Sequence, residues 1–308
     1  MSKEDCFMTR KMRTHQKKEE IKSGMWAKTV GFFKEILFVL ACVLVINSFV
    51  LAAFEVPTTS MADTVLAGDF LFVNKFIYGG STPYSIPHTS IRIPHFRVPG
   101  FRSVERGDVI VFDWPGNRDQ VEKPAQTYYL KRCIALPGDE IRIDRRIVYV
   151  NGQKQELPPY GKHLRLHTIP AGYSSPDIFP QKSNFNQDNY GPLVVPEKGS
   201  VLPLNTDNFS AWEVFIRREG HDASWIDGKV VIDGRPVTQY VVERDYVFGM
   251  GDNRDASEDS RYWGFIPVED VIGTPMIVFW SWDPDIPLYH PIDKIRSIKL
   301  GRIGTIIR

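Results

Sequence analysis

The sequence has little of several features that would identify a protein class. Its 308 residues include only three cysteines (Cys6, Cys42 and Cys133), too few for a disulfide scaffold. Neither sign of charge is in excess, since 38 Lys and Arg face 37 Asp and Glu, and this near balance argues against a general nucleic-acid binder. After residue 60 no long stretch has the apolar period of a helix, so crossover helices for a parallel α/β sheet are missing.

Common catalytic and ligand-binding motifs are also missing. The sequence has no GxSxG, SxxK, HExxH or CxxC motif, and GMGDNR (249–254) has Arg254 where a dinucleotide fingerprint needs its third glycine. DNRDASEDS (252–260) resembles a calcium loop in composition only. No histidine lies beside a serine in a recognisable frame, so a Ser-His-Asp triad has no support. The sequence therefore predicts no metal and no cofactor.

One long apolar run lies near the N-terminus. Residues 36–54 carry no charge over nineteen residues, and a helix of that length spans about 28 Å, close to the hydrocarbon core of a bilayer. Residues 1–35 hold nine Lys and Arg against five acids. A cleavable signal peptide is the alternative, but the apolar segment and the charged segment before it are both longer than is usual. We therefore expect a basic cytosolic tail (1–35), an uncleaved transmembrane helix (36–54) and, by the positive-inside rule, residues 55–308 outside the membrane.

The external part has the pattern of an antiparallel β protein. Five short segments rich in Val, Ile and aromatic residues are bounded by Gly, Pro, Asn or Asp, namely 71–78, 108–114, 146–152, 229–234 and 274–282. VNGQ (150–153) and IDGRP (232–236) are typical of hairpin turns. The Pro-, Asn- and Ser-rich stretch from about 155 to 205 indicates long loops. We expect an all-β region whose middle third forms a separate lobe.

Four blocks stand out in chain order, VPTTSMADTVLAGDFLFVNK (56–75), RGDVIVF (106–112), YYLKRCIALPGDEI (128–141) and GDNRDASEDSRYWGFIP (251–267). Taken singly, the first three are compatible with ordinary turns or strands. Together and in this order they closely resemble the bacterial type I signal peptidases, the leader peptidases of the S26 class. The resemblance extends over residues from about 36 to 142 and from 245 to 280. It implies a catalytic β domain (55–142 and 244–308) with a variable insertion lobe (143–243).

The resemblance implies a membrane-bound serine endopeptidase with a Ser/Lys dyad, which removes signal peptides from secretory preproteins after a small-x-small site. Ser60 matches the nucleophile and Lys131 the general base. Thr58, with the backbone N–H of Ser60, matches the oxyanion hole, and Ser257 matches the hydroxyl that orients the lysine. The charged residues that support the dyad are matched by Arg132, Asp252, Asp259 and Arg261. The pockets for small −1 and −3 side chains are matched by Phe54, Val56 and Leu130. The three pocket residues would also serve as ordinary core.

The residues around Lys131 favour its role independently of the resemblance. A serine hydroxyl needs a base, and a lysine acts as one only if its pKa falls well below the usual value of about 10.4. Lys131 lies among apolar residues in YYLKRCIAL with Arg132 adjacent, and both burial and a neighbouring cation lower a lysine pKa. Strand alternation places Lys131 on the same face as Tyr129 and Cys133.

Two positions depart from the family pattern. Asp63 stands where the family usually has a turn proline, and Thr59 stands where a glycine is frequent. These departures are the support for an alternative, an inactive membrane-tethered β-domain scaffold or binding subunit. A Ser/Lys self-cleaving regulator would need a helix-turn-helix, for which the N-terminal tail is too short.

The expected location is the bacterial cytoplasmic (inner) membrane near the secretion translocon. The expected partners are the lipid bilayer and secretory preproteins, and no nucleic acid is expected.

Overall fold

The apolar run near the N-terminus is divided between a helix and a strand. The computed structural model describes residues 26, 28–82, 96–123 and 127–308. Helix α1, Lys28–Phe49, has 22 residues and a mean hydropathy of 2.3, so it is long and apolar enough to cross a membrane. This helix is consistent with a membrane-anchored protein. The expected basic tail (1–35) lies mostly outside the described residues.

The expected helix over 36–54 differs from the observed one at both ends. The helix begins earlier, and the residues after it, Leu51–Glu55, form strand β1, which pairs with the next strand of the chain. Leu, Ala and Phe are apolar in either setting, so composition alone does not mark where the helix ends. Ala52 is buried in the sheet, and this packing decides the conformation of the last residues of the run.

The remaining elements are mostly short strands. Strands β2 to β16 are Asp69–Asn74, Val109–Asp113, Tyr128–Ala135, Glu140–Asp144, Ile147–Val150, Gln153–Gln155, Tyr190–Val194, Val201–Pro203, Ala223–Ile226, Lys229–Ile232, Arg235–Val237, Gln239–Val241, Tyr246–Met250, Ile266–Pro267 and Val271–Ser281. Helices α2 to α4 are Phe209–Arg218, Ser260–Trp263 and Pro291–Arg296.

A seven-stranded antiparallel sheet carries the N-terminal and C-terminal parts of residues 49–308. Its order is β1-β2-β16-β3-β4-β14-β15. Strand β4 pairs with β3 over Tyr128–Arg132 and with β14 over Arg132–Ala135, so among the described strands residues 128–131 have a neighbour on one side only. The expected antiparallel β fold is therefore confirmed.

The middle of the chain adds smaller sheets and one unexpected helix. The sheets have the orders β7-β6-β5-β8, β10-β11-β12 and β13-β9. Both predicted hairpin turns are present, and Asn151 and Asp233 have the positive φ, 52° and 50°, that a type I′ turn requires. Helix α2 was not expected, although its apolar residues Phe209, Trp212 and Phe215 recur at a spacing of three.

Residues of the middle lobe pack against the seven-stranded sheet. Residues Phe49–Arg308 make one unit by their contacts. One apolar core joins Ile134 of β4 and Phe248 of β14 to lobe residues such as Tyr190 and Val230. A second core, with Val56, Met61, Val65 and Leu71 among its members, lies around the segment that contains Ser60. The lobe and the seven-stranded sheet are thus packed together near the site.

Candidate active site

Ser60 lies in the turn between β1 and β2, and hydrogen bonds hold this turn from two sides. Within the turn, the Ala62 N–H donates to the Thr59 carbonyl at 2.9 Å. From the loop after β14, the Asn253 N–H donates to the Ser60 carbonyl at 3.0 Å and its Nδ2 donates to the Thr59 carbonyl at 3.2 Å. The backbone of Ser60 is therefore fixed, while its side chain faces Lys131.

Lys131 lies on β4 within hydrogen-bond distance of Ser60. Its Nζ donates to Ser60 Oγ at 2.7 Å. The exposed fractions are 3% for Lys131 and 7% for Ser60, so water has little access to either. Nζ also lies 5.7 Å from the ring centre of Tyr129 and 5.8 Å from that of Trp263. The contact with Tyr129 agrees with the strand alternation expected from the sequence.

The pKa of Lys131 is lowered from its ordinary value of 10.5 to about 8, and burial is the largest cause. The charge of Arg261 also lowers this pKa, whereas the charges of Asp259, Glu258 and Asp252 raise it. The sequence indicated Arg132 as the neighbouring cation, whereas the cation whose charge adds to the effect of burial is Arg261. With a pKa of about 8, roughly a quarter of the Lys131 side chains are neutral at pH 7.5. A neutral amine of this kind can accept a proton from a hydroxyl.

Thr58 brings a second hydroxyl to the same place. Its Oγ1 lies 3.3 Å from Ser60 Oγ, and either atom can donate. A hydroxyl beside the nucleophile can donate to an oxygen that becomes negative when the nucleophile attacks a carbonyl carbon. The geometry is thus suited to the role that the resemblance implies for Thr58.

Two buried ion pairs lie beside Lys131. Arg132 binds Asp252 through two contacts, Nε to Oδ1 at 2.8 Å and Nη2 to Oδ2 at 2.7 Å. Arg261 binds Asp259 in the same way, with both distances 2.8 Å. Burial raises the pKa of Asp259, but the charge and hydrogen bonds of Arg261, the charge of Lys131 and the hydrogen bond from the Gly251 N–H together outweigh it, and the pKa lies below its ordinary value. The four predicted supporting residues therefore form two bidentate pairs.

The role of Ser257 in orienting Lys131 stays a prediction. Its side chain is buried, and its Oγ has no hydrogen-bond partner among the described residues. Ser257 packs against Gly251, where an added Cβ would lie 2.2 Å from Ser257 Oγ and 2.6 Å from the Ser60 carbonyl oxygen. Only a glycine at position 251 allows this close approach.

A cleft of about 240 Å³ opens beside Ser60 and Lys131. The three predicted pocket residues, Phe54, Val56 and Leu130, line it, and the Phe54 ring meets the Tyr128 ring edge to face at 5.0 Å. The rest of its lining consists of Glu55, Pro57, Thr58, Ser60, Met61, Leu71, Val111, Tyr128, Tyr129, Lys131, Ala256 and Glu258. Most of this wall is apolar, which suits small uncharged side chains.

Residue Asp63 shows why the sequence departs from the family pattern three residues after Ser60. Its φ is 77°, which a proline cannot adopt because its ring holds φ near −65°. The Asp63 carboxylate accepts from Lys162 Nζ at 2.6 Å, and the Lys162 N–H donates to the Asp252 carbonyl at 2.9 Å. A loop of the insertion lobe thus contacts the Ser60 turn, a contact that the sequence did not predict.

The other departure, Thr59, needs no unusual backbone. Its φ lies outside the left-handed region that favours glycine. A residue with a Cβ is therefore accommodated here without that strain.

The sequence is similar to a known family over most of its length. The family model for signal peptidase, peptidase S26, matches residues 29–280. Signal peptidase I of Buchnera aphidicola subsp. Schizaphis graminum is 32% identical over 273 residues, which cover 86% of this chain and 77% of the relative. Signal peptidase I of Rickettsia typhi is 31% identical over 282 residues, covering 88% and 91%. A crystal structure of a signal peptidase I from Enterococcus faecalis has 19% identity and a TM-score of 0.26, covering 56% of this chain and 97% of that one.

Proposed function

Because the chain belongs to the signal peptidase family, peptidase S26, we propose that it is a membrane-anchored endopeptidase that removes N-terminal signal peptides with a Ser60/Lys131 dyad. The observation that carries the proposal is the 2.7 Å contact between Lys131 Nζ and Ser60 Oγ in a buried site. A lowered lysine pKa supports it, since the amine must be neutral to accept the hydroxyl proton.

In the first half of the reaction, the neutral Lys131 amine takes the proton of Ser60 as Oγ attacks the carbonyl carbon of the −1 residue. The carbonyl oxygen becomes an oxyanion, which Thr58 Oγ1 and the Ser60 N–H stabilise by donating hydrogen bonds. The tetrahedral intermediate then collapses. The Lys131 ammonium protonates the departing amine of the mature protein, and the signal peptide stays attached to Ser60 as an ester.

In the second half, a water molecule replaces the departed amine. Neutral Lys131 accepts a proton from this water, which attacks the ester carbonyl, and the same oxyanion donors act again. Ser60 Oγ leaves and recovers its proton from Lys131. The two buried ion pairs keep the charges near Lys131 fixed, because each guanidinium is bound through two contacts to its carboxylate.

The shape of the cleft supports a preference for small residues at −1 and −3. An extended peptide can pair with the open side of β4 at residues 128–131, and its alternate side chains then point to one face. That face meets Phe54, Val56 and Leu130, which leave little room for a long side chain. Leu or Phe at −1 should therefore be cleaved far more slowly than Ala.

The charge pattern supports an N-terminus in the cytosol. The twenty residues before Lys28 contain six Lys and Arg, and the twenty after Phe49 contain none. By the positive-inside rule, this asymmetry supports the proposal that residues 50–308 lie on the outer side of the cytoplasmic (inner) membrane, where preproteins would emerge from the secretion translocon. Protease added to intact spheroplasts should digest residues 55–308, and their survival would contradict this orientation.

The proposal is tested by preprotein cleavage with the purified full chain in detergent. Ser60→Ala and Lys131→Ala should each reduce turnover to below about a hundredth of wild type, because a nucleophile and its base act as a unit. Ser224→Ala in β10 and Lys154→Ala in β7 are the matched controls and should retain activity. If either dyad variant keeps substantial activity with an unchanged cleavage site, that residue does not act in the mechanism.

A further inference from the structure

The cleft beside Ser60 contains two acidic residues that the proposed chemistry does not use. Glu55 and Glu258 both line it, and Lys131, almost fully buried, is the one basic residue in its described lining. A peptide entering the cleft therefore meets negative charge near its mouth. The two acids are carried by different segments of the chain.

Glu55 is the last residue of β1. Strand alternation turns its side chain to the face opposite Phe54 and Val56, which lie in the apolar core beneath the cleft. Glu55 thus reaches the cleft mainly from the edge of the strand.

Glu258 lines the cleft from the loop between β14 and α3. It is exposed, whereas its neighbours Ser257 and Asp259 are buried, so of these three side chains it is the one that faces solvent. Its charge raises the pKa of both Tyr129 and Lys131, two residues that line the same cleft. The carboxylate therefore lies close enough to the reacting groups to act on a bound peptide.

We propose that Glu258 is a specificity residue, which disfavours acidic and favours basic side chains at the substrate positions next to the scissile bond. The inference rests on the proposed function, since it concerns the same cleft. The −1 and −3 side chains would occupy the apolar pockets, so the charge preference concerns positions −2, +1 and +2. Attraction or repulsion across a solvent-accessible cleft changes kcat/KM by about three- to tenfold per charge at low salt.

The test compares three peptides that share a small-x-small site and carry Lys, Gln or Glu at −2, with parallel sets at +1 and +2. The wild-type full chain should cleave the Lys peptide about tenfold or more faster than the Glu peptide in at least one set. Glu258→Gln should bring the ratio close to one, and Glu258→Asp should restore most of it. In 1 M salt the wild-type ratio should also fall, because the screening length is then only about 3 Å.

Two further measurements separate this role from a structural one. Glu258→Gln should move the acidic limb of the kcat/KM profile to lower pH, because Glu258 raises the pKa of Lys131 together with Asp259 and Asp252 and against Arg261. Glu156→Gln, an exposed acid of the lobe whose side chain is 83% exposed, should leave both the ratio and the profile unchanged.

The outcomes distinguish the inference from the function beneath it. If the wild type cleaves none of the peptides, including the Gln reference, the proposed function is wrong. If it cleaves all three equally in every set, or if Glu258→Gln keeps the wild-type ratio, the function stands and the inference about Glu258 is wrong.

Discussion

Two kinds of ion pair lie near Ser60, and burial separates them. The side chains of Arg261 and Asp259 are 2% and 0% exposed, with a shortest contact of 2.8 Å. Those of Lys162 and Asp63 are 32% and 51% exposed, with a contact of 2.6 Å. The distances are nearly the same, so distance alone cannot say which pair matters more. The burial and the other partners of each pair decide how much it contributes.

The buried pair has further partners that the exposed pair lacks. The Gly251 N–H donates to Asp259 Oδ2, and Arg261 Nη2 donates to the Arg254 carbonyl. Removing either Arg261 or Asp259 would leave the other charge buried without water and without its partner, which would lower the free energy of unfolding. The Asp63 and Lys162 side chains can instead turn to solvent, so their pairing contributes little. The comparison therefore predicts large effects inside the site and small ones at its rim.

The largest effect on stability should come from Arg261→Met. This change keeps a long apolar side chain but leaves Asp259 buried and unpaired, which should lower the free energy of unfolding by about 3–5 kcal/mol. Urea unfolding of the full chain in detergent measures it. Adding Asp259→Asn should recover part of the loss, because Asn keeps the side-chain acceptor at the start of α3 without the charge. A loss below about 1 kcal/mol in Arg261→Met would contradict the comparison.

Lys131 is a buried charge that forms no ion pair of its own among the described residues, and it extends the comparison to pH. Its pKa in the folded chain, about 8, lies below its ordinary value of 10.5. Below pH 8 the buried charge therefore lowers the free energy of unfolding by about 3 kcal/mol. Between pH 8 and 10.5 the unfolded chain binds more protons, and the cost disappears as pH rises. Lys131→Met should thus be more stable than wild type at pH 7, with the difference vanishing near pH 10.5.

Activity gives the complementary measurement for Lys131. The kcat/KM of the wild type should rise with pH through about 8 as the amine becomes neutral. If kcat/KM still rises at pH 10, Lys131 is not the group that accepts the proton. A stability difference between wild type and Lys131→Met that does not change with pH would show that the lysine is not desolvated.

Much of this site could be predicted from local sequence patterns. Ser60, Lys131 and the charged residues of GDNRDASEDSR lie in compact motifs, and the strands that carry them have regular alternation. The end of α1 could not be predicted, because the apolar residues of β1 continue the helical composition without a polar boundary. Packing of Ala52 against the sheet, which depends on distant residues, sets that end.

The misassigned details share one cause, contact between segments far apart in the chain. The cation that lowers the pKa of Lys131 is Arg261 rather than its neighbour Arg132, which strand alternation places on the opposite face of β4. The contact of Lys162 with Asp63 joins residues 99 positions apart. Local spacing carries no information about such pairs.

The backbone of Asp63 provides a sharper test at the rim. Asp63→Pro would restore the residue frequent in the family, but its φ of 77° is closed to proline, so the variant should lose roughly 1–3 kcal/mol and some activity. Asp63→Gly removes the same carboxylate and tolerates this φ. Since both variants lose the contact with Lys162, the difference between them isolates the backbone. Equal stability and activity of the two would mean that the Ser60 turn adapts freely.

The smallest effect should come from Lys162→Met, which removes the charge at the rim and keeps most of the side-chain length. The exposed contact with Asp63 should contribute below about 1 kcal/mol to the free energy of unfolding, and kcat/KM should change by less than about fivefold. In 1 M salt the difference from wild type should shrink further, since screening weakens exposed pairs first. Lys162→Arg is the matched control that keeps the charge. If Lys162→Met lowered the free energy of unfolding as much as Arg261→Met does, the lobe would be what holds the Ser60 turn in place. Burial would then not decide how much each ion pair contributes.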